Sequence, residues 1–296
     1  MAGMKSIKKQ ATALAKSQFV PKTRSRGIRS NLSYAESLTR IGKWCHNTYG
    51  IERIDKISID MIIGYFEERR QVVGNSTLTQ ERQALRLLTE REKSKLYLID
   101  IPFFKSELKQ ILKSRRYSKW QIDKIKEKQS TKNRIATEVA AVAGLRAHEL
   151  LTLRRIEERK PSARNWNPNM YIGKSEWKRY TVVGKGGLIR EIRLPNNIVK
   201  MLESRRLTHP ITVNDRGIYY NSYYDIGGGK NWTSSVSKTS KKSLGWSNGA
   251  HGFRHTYVQD RVYEIQRLGF SEKEAKAIVS QEIGHHRPDI INAYLR

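Results

Sequence analysis

A single change of hydrophobic period limits what this chain can fold into. From Ser33 onward apolar residues recur at three- and four-residue steps, the spacing that places them on one face of a helix. Tyr34, Leu38, Ile41, Trp44 and Cys45 make the first such run, with Ser33 placed to cap its start and Gly50 just past its end. Ser58 heads a second run through Ile59, Ile62, Ile63 and Phe66, and a third extends from about Ser76 through Leu78, Leu85 and Leu88. Ser118 opens another with Trp120, Ile122 and Ile125, and the alanine-rich stretch from Ile135 to Leu153 predicts a buried helix pair interrupted at Gly144. Around Tyr180 the period becomes extended. Arg179 to Val183, the turn Gly184-Lys185-Gly186-Gly187, and Leu188 to Leu194 read as a β-hairpin, and Pro195 and Asn196 then begin a short helix. The expected fold class is therefore mainly α with a small antiparallel β-sheet. Residues 208–250, rich in tyrosine and glycine, give no clear period.

A chain of 296 residues can bury one or two cores, and we expect two domains. Residues 1–30 carry eight lysines and arginines and no acid, which reads as a basic arm, disordered or briefly helical. Such an arm either orders on a polyanion or only solubilises the chain. Residues 31–115 read as a helical, arginine-rich domain, with Arg82 and Arg86 on its third helix, and residues 116–296 as a second domain. Lys113, Arg115, Arg116 and Lys119 make a basic crossing between the two, expected to be the linker.

Charge narrows the partner. The chain has 57 Lys and Arg against 28 Asp and Glu, a formal net charge of +29. An excess of that size is the electrostatic footprint of a nucleic-acid partner, a solvated basic surface being the competing reading. No apolar run approaches the ~20 residues of a membrane span, so we expect no membrane partner and a cytoplasmic, nucleoid-associated protein. Cys45 is the only cysteine, which excludes an intrachain disulfide and a cysteine-based zinc site.

Several positions carry chemistry only in combination. Arg146 and Glu149 lie three apart in Gly-Leu-Arg-Ala-His-Glu-Leu, so the carboxylate can orient the guanidinium; alone, such an arginine is an ordinary ion-pair residue. Lys185 sits between glycines at a hairpin tip, where an amine either reaches a ligand or stays solvated. That stretch lacks the spacing of a nucleotide-binding P-loop. His251 and Arg254 share a helical face, while His255 points elsewhere, into packing. His251, His255, His285 and His286 could converge on a zinc ion, but Arg254 stands among them and no carboxylate lies at a ligand spacing, so no metal is expected. Tyr294 alone would be a terminal aromatic docked on a core.

The order of these residues resembles that of the tyrosine recombinase (phage integrase) family. Gly-Leu-Arg-x-x-Glu-Leu, Gly-Lys-Gly in a hairpin, His-x-x-Arg-His, Gly-His and then Tyr nine residues later follow one another over residues 116–296. Residues 30–115 resemble the family's core-binding domain by organisation alone. The resemblance implies a two-domain DNA clamp and a site-specific recombinase or integrase of a mobile element. It implies Tyr294 as nucleophile, forming a 3′-phosphotyrosyl bond, with Arg146 and Arg254 clamping the phosphate. Lys185 would be the general acid for the leaving 5′-oxygen, His251 and His285 would bind the phosphate and assist proton transfer, and Glu149 would support the site. Strand exchange would pass through a Holliday junction in a homotetramer on double-stranded DNA carrying a specific site. Neither metal nor other cofactor is implied, and accessory DNA-bending or directionality factors are compatible partners. Arg82, Arg86, Lys113, Arg115, Arg116 and Lys119 are the expected DNA-binding residues. The rival readings are a type IB topoisomerase-like enzyme and a non-catalytic DNA-binding relative.

The chain departs from the family pattern in three places. Leu268 to Glu274 looks like an inserted turn and helix start before Gly284-His285. His286 follows Gly-His where a small or polar residue is common. Only Leu295 and Arg296 follow Tyr294, from which we expect the nucleophile to act within its own protomer and protomers to meet through other surfaces.

Overall fold

The computed structural model describes residues 2–17, 28–109 and 113–296, with side chains from Ser6 and, after the second break, from Ser30. The chain divides into two compact units, residues 1–111 and 112–296.

In the first unit, helices α1 (Ala2–Ser17), α2 (Ile28–Tyr49), α3 (Ile59–Arg69) and α4 (Asn75–Thr89) surround one core. The N-terminal segment differs from the arm read in the sequence, whose residues 18–27 lie outside the described residues. Ile7, Ala11 and Leu14 recur at i, i+4 and i+7 and are almost fully buried, burial worth roughly 1.5–3 kcal/mol for each large side chain. Gln10 adds a clamp, donating to the Glu52 carbonyl (2.8 Å) and accepting from the Ile54 amide (3.0 Å). Lysines on the outer face had masked this stripe. Ser33 lies inside α2 instead of capping it, because nothing between Ile28 and Ser33 breaks a helix. Ser58 caps α3 as its sequence predicts.

The second unit begins before the basic crossing ends. Tyr117 is fully buried, its amide donates to Thr256 Oγ1 (2.9 Å) and its ring stacks on Trp246 at 5.6 Å. Arg115 and Arg116 are therefore held on this unit rather than on a free linker. Ser118 and Gln121 form a capping box on α5 (Lys119–Glu127). Helix α6 (Thr131–Ala143) stops at Gly144, whose φ of +59° favours glycine and where a Cβ would stand 2.5 Å from the Tyr257 ring. The expected second helix of that pair is only a 3₁₀ turn, Glu149–Thr152; the buried turn aims Arg146 and Glu149 instead of extending a helix.

Strands β1 (Arg154–Arg155), β2 (Lys178–Val183) and β3 (Ile189–Leu194) form an antiparallel sheet in that order, with Val182 opposite Arg190. Helix α7 (Asn196–Glu203) follows. The segment without a clear period holds a second sheet, β4 (Arg206–Asp215) and β5 (Ile218–Tyr224), and then helix α8 (Gly229–Leu244). Arg216 and Gly217, both at positive φ, make the tight turn of this hairpin. Asp215, the last residue of β4, accepts from the Lys230 amide at the start of α8 (2.7 Å). Helices α9 (His251–Arg267) and α10 (Glu272–Glu282) pack a further core that includes Tyr257, Ile278, Ile291 and Tyr294. The turn at Leu268–Gly269 and the capping box of Ser271 with Glu274 build the insertion noted in the sequence into a full helix. Among the described residues no helix is long and apolar enough to cross a membrane.

Candidate active site

Glu149 is the centre about which the site is assembled. It is fully buried, yet its carboxylate accepts from the Arg146 amide (2.8 Å), from Arg146 Nη1 (3.0 Å) and from Arg190 Nη2 (2.9 Å). Burial works against this charge, but Arg190, Arg254 and Arg146 outweigh it and hold the carboxyl down at about 2. The 3₁₀ turn that carries Glu149 bends the chain back on Arg146, so one carboxylate fixes both the backbone and the side chain of that arginine.

Arg146 also reaches past Glu149. Its Nη2 lies 2.8 Å from His285 Nε2, which makes that imidazole nitrogen the acceptor. Gly284, at φ +75°, lets the chain turn sharply after α10 and present His285. Burial, then Arg146 and Arg254, lower His285 to about 4, so the ring is neutral at neutral pH.

Arg254 is completely buried in the first turn of α9. It donates from Nη1 to the Gly144 carbonyl (2.5 Å), from Nη2 to the Ile283 carbonyl, and from Nε to the Tyr294 hydroxyl (3.3 Å). Burial and the neighbouring Arg146 lower it to about 10, which leaves it charged at neutral pH. Tyr294 follows the last 3₁₀ turn, Pro288–Ala293, and is 6% exposed. His251 stands at the mouth, its ring centre 5.6 Å from that of Tyr294. Partial withdrawal from water and the charge of Arg254 keep it well below the usual histidine range.

The structure thus brings together five residues expected of the site from the sequence, Arg146, Glu149, His251, Arg254 and His285, with Tyr294. Lys185 is not among them. It is exposed at the tip of the β2–β3 hairpin and, among the described residues, has no hydrogen-bond or ion-pair partner. The root of that hairpin does reach the site, since a Cβ at Gly184 would lie 3.3 Å from Glu149 Oε1.

Two residues do more than the sequence predicts. His255 packs inward as expected, and what it packs on is the nucleophile segment: its ring centre lies 4.8 Å from that of Tyr294 and its Nδ1 is 3.3 Å from the Tyr294 carbonyl oxygen. Arg190 shares the inward face of β3 with Ile192 and Leu194. A strand reading apolar on alternate positions with one arginine among them was the available signal.

The expected DNA-binding residues have varied surroundings. Arg82 is turned inward, donating to the Ile101 and Pro102 carbonyls (2.6 and 3.1 Å), and so braces a loop of its own unit. Arg116 pairs with Asp260 at 2.9 Å. Arg86, Lys113, Arg115 and Lys119 are exposed. A groove of about 460 Å³, lined by Arg115, Thr233, Ser237, Lys238 and Asn248, opens directly beside His251.

No family model and no curated protein matches the chain. Solved structures do. A lambda integrase tetramer bound to a Holliday junction superposes with a TM-score of 0.59 at 14% identity, covering 99% of this chain and 77% of that one. The XerH site-specific recombinase bound to difH substrate, in its pre-cleavage complex, gives 0.58 at 16% identity over 98% of this chain and 81% of that one. The Tn1549 transposon integrase in complex with a circular intermediate DNA gives 0.51 at 11% identity, covering 97% and 95%. At these identities the likeness establishes a fold. The chain has the fold of tyrosine recombinases, mainly α with small antiparallel sheets.

Proposed function

We propose that this chain is a site-specific DNA strand transferase that cleaves and rejoins duplex DNA through a phosphotyrosyl intermediate. The observation that carries the reading is the Tyr294 hydroxyl placed on Arg254 Nε, within a cluster that also holds Arg146, His285 and His251.

In this reading Tyr294 Oη attacks the scissile phosphorus. Arg146 and Arg254 hold the non-bridging oxygens, where fixed guanidinium donors stabilise the charge that grows in the transition state. Neutral His251 accepts the phenolic proton as the bond forms, and His285 donates to the phosphate through its other ring nitrogen. The 5′-oxygen leaves with a proton from Lys185, whose glycine-flanked turn swings in when DNA fills the site. Cleavage thus exchanges one phosphodiester for another, and attack by a second 5′-hydroxyl reverses the step without an external energy source. Two such rounds between paired duplexes pass through a Holliday junction within a tetramer, at the ends of a mobile element. Exposed Arg86, Lys113 and Lys119, together with Arg115 and Lys238 beside His251, neutralise the backbone of the duplex. Arg82 and Arg116 act mainly on their own units. Tyr294 acts in the protomer that carries it, beside that protomer's own Arg254.

The test is capture. The full chain is mixed with a pool of randomised duplexes nicked on one strand, and protein–DNA adducts that survive denaturant are sequenced. Wild type is expected to enrich one sequence and Tyr294→Phe none. Equal capture by both overturns the nucleophile, enrichment of no sequence argues for relaxation rather than site-specific exchange, and salt-sensitive binding without any adduct argues for a non-catalytic binder.

A further inference from the structure

Arg190 has a place in the site that no motif assigned to it. Its side chain is buried as completely as that of Arg254. One nitrogen, Nη2, donates to Glu149 at 2.9 Å, while Nη1 donates to the carbonyl of Glu282 at 2.6 Å, at the end of α10 and three residues before His285. Its Nε has no hydrogen-bond partner among the described residues. The turn between α10 and His285 is shaped to this side chain: a Cβ at Gly284 would approach Arg190 Cδ to 3.0 Å and Nε to 3.4 Å.

The strand that supplies Arg190 is the one that leaves the Lys185 hairpin. One guanidinium therefore joins three otherwise separate pieces: the Glu149 turn that orients Arg146, the turn that presents His285, and the strand that roots Lys185. Burying an arginine costs several kcal/mol unless its charge is matched and its donors used. Two of its donor nitrogens are used here, on groups whose positions decide the geometry of the site.

We propose that Arg190 is a positioning residue, which locks Glu149 against Arg146 and locks the His285 turn against the strand following the Lys185 hairpin. It does not itself reach the phosphate. This role presupposes the cleavage reaction proposed above, whereas the lock on Glu149 and the His285 turn does not. Lysine at this position could meet Glu149 but has no fork to hold the Glu282 carbonyl as well.

The experiment compares Arg190→Met and Arg190→Lys with wild type, using the nicked duplex most enriched by capture and, separately, the free protein. Arg190→Met is expected to slow adduct formation by about 10–100-fold, the range of one or two charge-assisted hydrogen bonds. The Kd for that duplex should stay within about twofold, and Arg190→Lys should fall between the two. In the free protein, the imidazole of His285 is followed by NMR and assigned with His285→Asn. The charged groups facing it are Arg146, Arg254, Glu149 and Arg190. Its titration should rise toward the ordinary value in Arg190→Met, by more than that of His251. Cleavage at the wild-type rate overturns the proposal, as does a loss of cleavage and affinity only in proportion to the fraction unfolded. If wild type captures no duplex, the cleavage reading fails by itself, and an unmoved His285 titration is then what overturns the lock. Should Arg190→Met not fold, Arg190→Lys decides by the same two measurements.

Discussion

Among the described residues two buried glutamates each gather more than one arginine, one in each unit, and only one of these clusters lies in the candidate site. Glu81 and Glu149 are both fully excluded from water. Glu81 accepts from Arg40 (2.6 Å), Tyr65 (3.1 Å) and Arg69 (3.2 Å). Its arginines come from the surface, with 46% and 22% of their side chains exposed, and end on the carboxylate. Around Glu149 the order is reversed. Arg190 and Arg254 are buried as deeply as the carboxylate itself, and Arg146 and Arg254 carry donors past it to His285 and Tyr294. A buried carboxylate with arginines is thus a structural device by default. The Glu149 cluster differs in that guanidinium donors remain directed at His285 and Tyr294, the arrangement on which the proposed phosphate site rests.

Loss of the Tyr294 hydroxyl should separate the two clusters most strongly. Tyr294→Phe is expected to abolish adduct formation, because no other hydroxyl replaces the nucleophile. It should change stability by no more than about 1 kcal/mol, since only the hydrogen bond from Arg254 is lost. Chemical denaturation beside the capture assay checks both halves. A large loss of stability would mean that Tyr294 is an anchor like Tyr65 instead.

Next in size is the donor set. Arg254→Lys keeps a positive charge but cannot donate to Gly144, Ile283 and Tyr294 together. We expect single-turnover cleavage to slow by about 10²–10³-fold, the usual effect of losing a fixed transition-state donor. A change of less than about threefold would show that charge alone suffices.

Exchanging the two carboxylates' fates separates structure from function directly. Glu81→Gln should cost roughly 2–3 kcal/mol of stability through weakened charge-assisted hydrogen bonds. Cleavage by the folded fraction should be unaltered. Glu149→Gln should cost stability to a similar degree and also lower cleavage about tenfold or more, because Arg146 loses its orienting partner. Urea titrations and adduct rates on the same two variants make the check. Equal behaviour in both assays would erase the distinction between the clusters.

The two clusters also differ in how legible they were. Gly-Leu-Arg-x-x-Glu and His-x-x-Arg mark one of them because local spacing brings their members together: Glu149 caps its own turn onto Arg146, and α9 places His251 and Arg254 in one helical turn. Periodicity likewise found α3, α4, α5 and the β2–β3 hairpin. Arg190 was hidden because its partners lie 41 and 92 residues away, at distances no local pattern encodes. The packing partner of His255 was hidden for the same reason, since it lies 39 residues on. The β4–β5 hairpin lacked a period because most of β4 is exposed on both faces, which removes the alternation a half-buried strand shows. Helix α1 read only as a basic arm, disordered or briefly helical, because its lysines obscure a narrow but complete apolar stripe.

The smallest expected effect concerns protons. His285 titrates near 4 in the folded chain, against about 6.5 for an unfolded histidine. Between those values the unfolded state binds a proton that the native state refuses, so the native state loses stability as pH falls from about 6.5 to 4 and loses no more from this group below that. His251, lowered in the same direction, adds to the loss. Glu149, held at about 2, continues it at lower pH, from the ordinary carboxylate range downward. Among the described residues no histidine bonds to Glu81, so that cluster adds nothing comparable to the upper part of this acid sensitivity. His285→Asn should therefore flatten the decline in unfolding midpoint between pH 6.5 and 4 for the second unit and leave the lower decline in place. Thermal melts at closely spaced pH values resolve the two. An unchanged slope in that variant would mean His285 is solvated and free of Arg146, and the proposed reaction would lose its neutral imidazole.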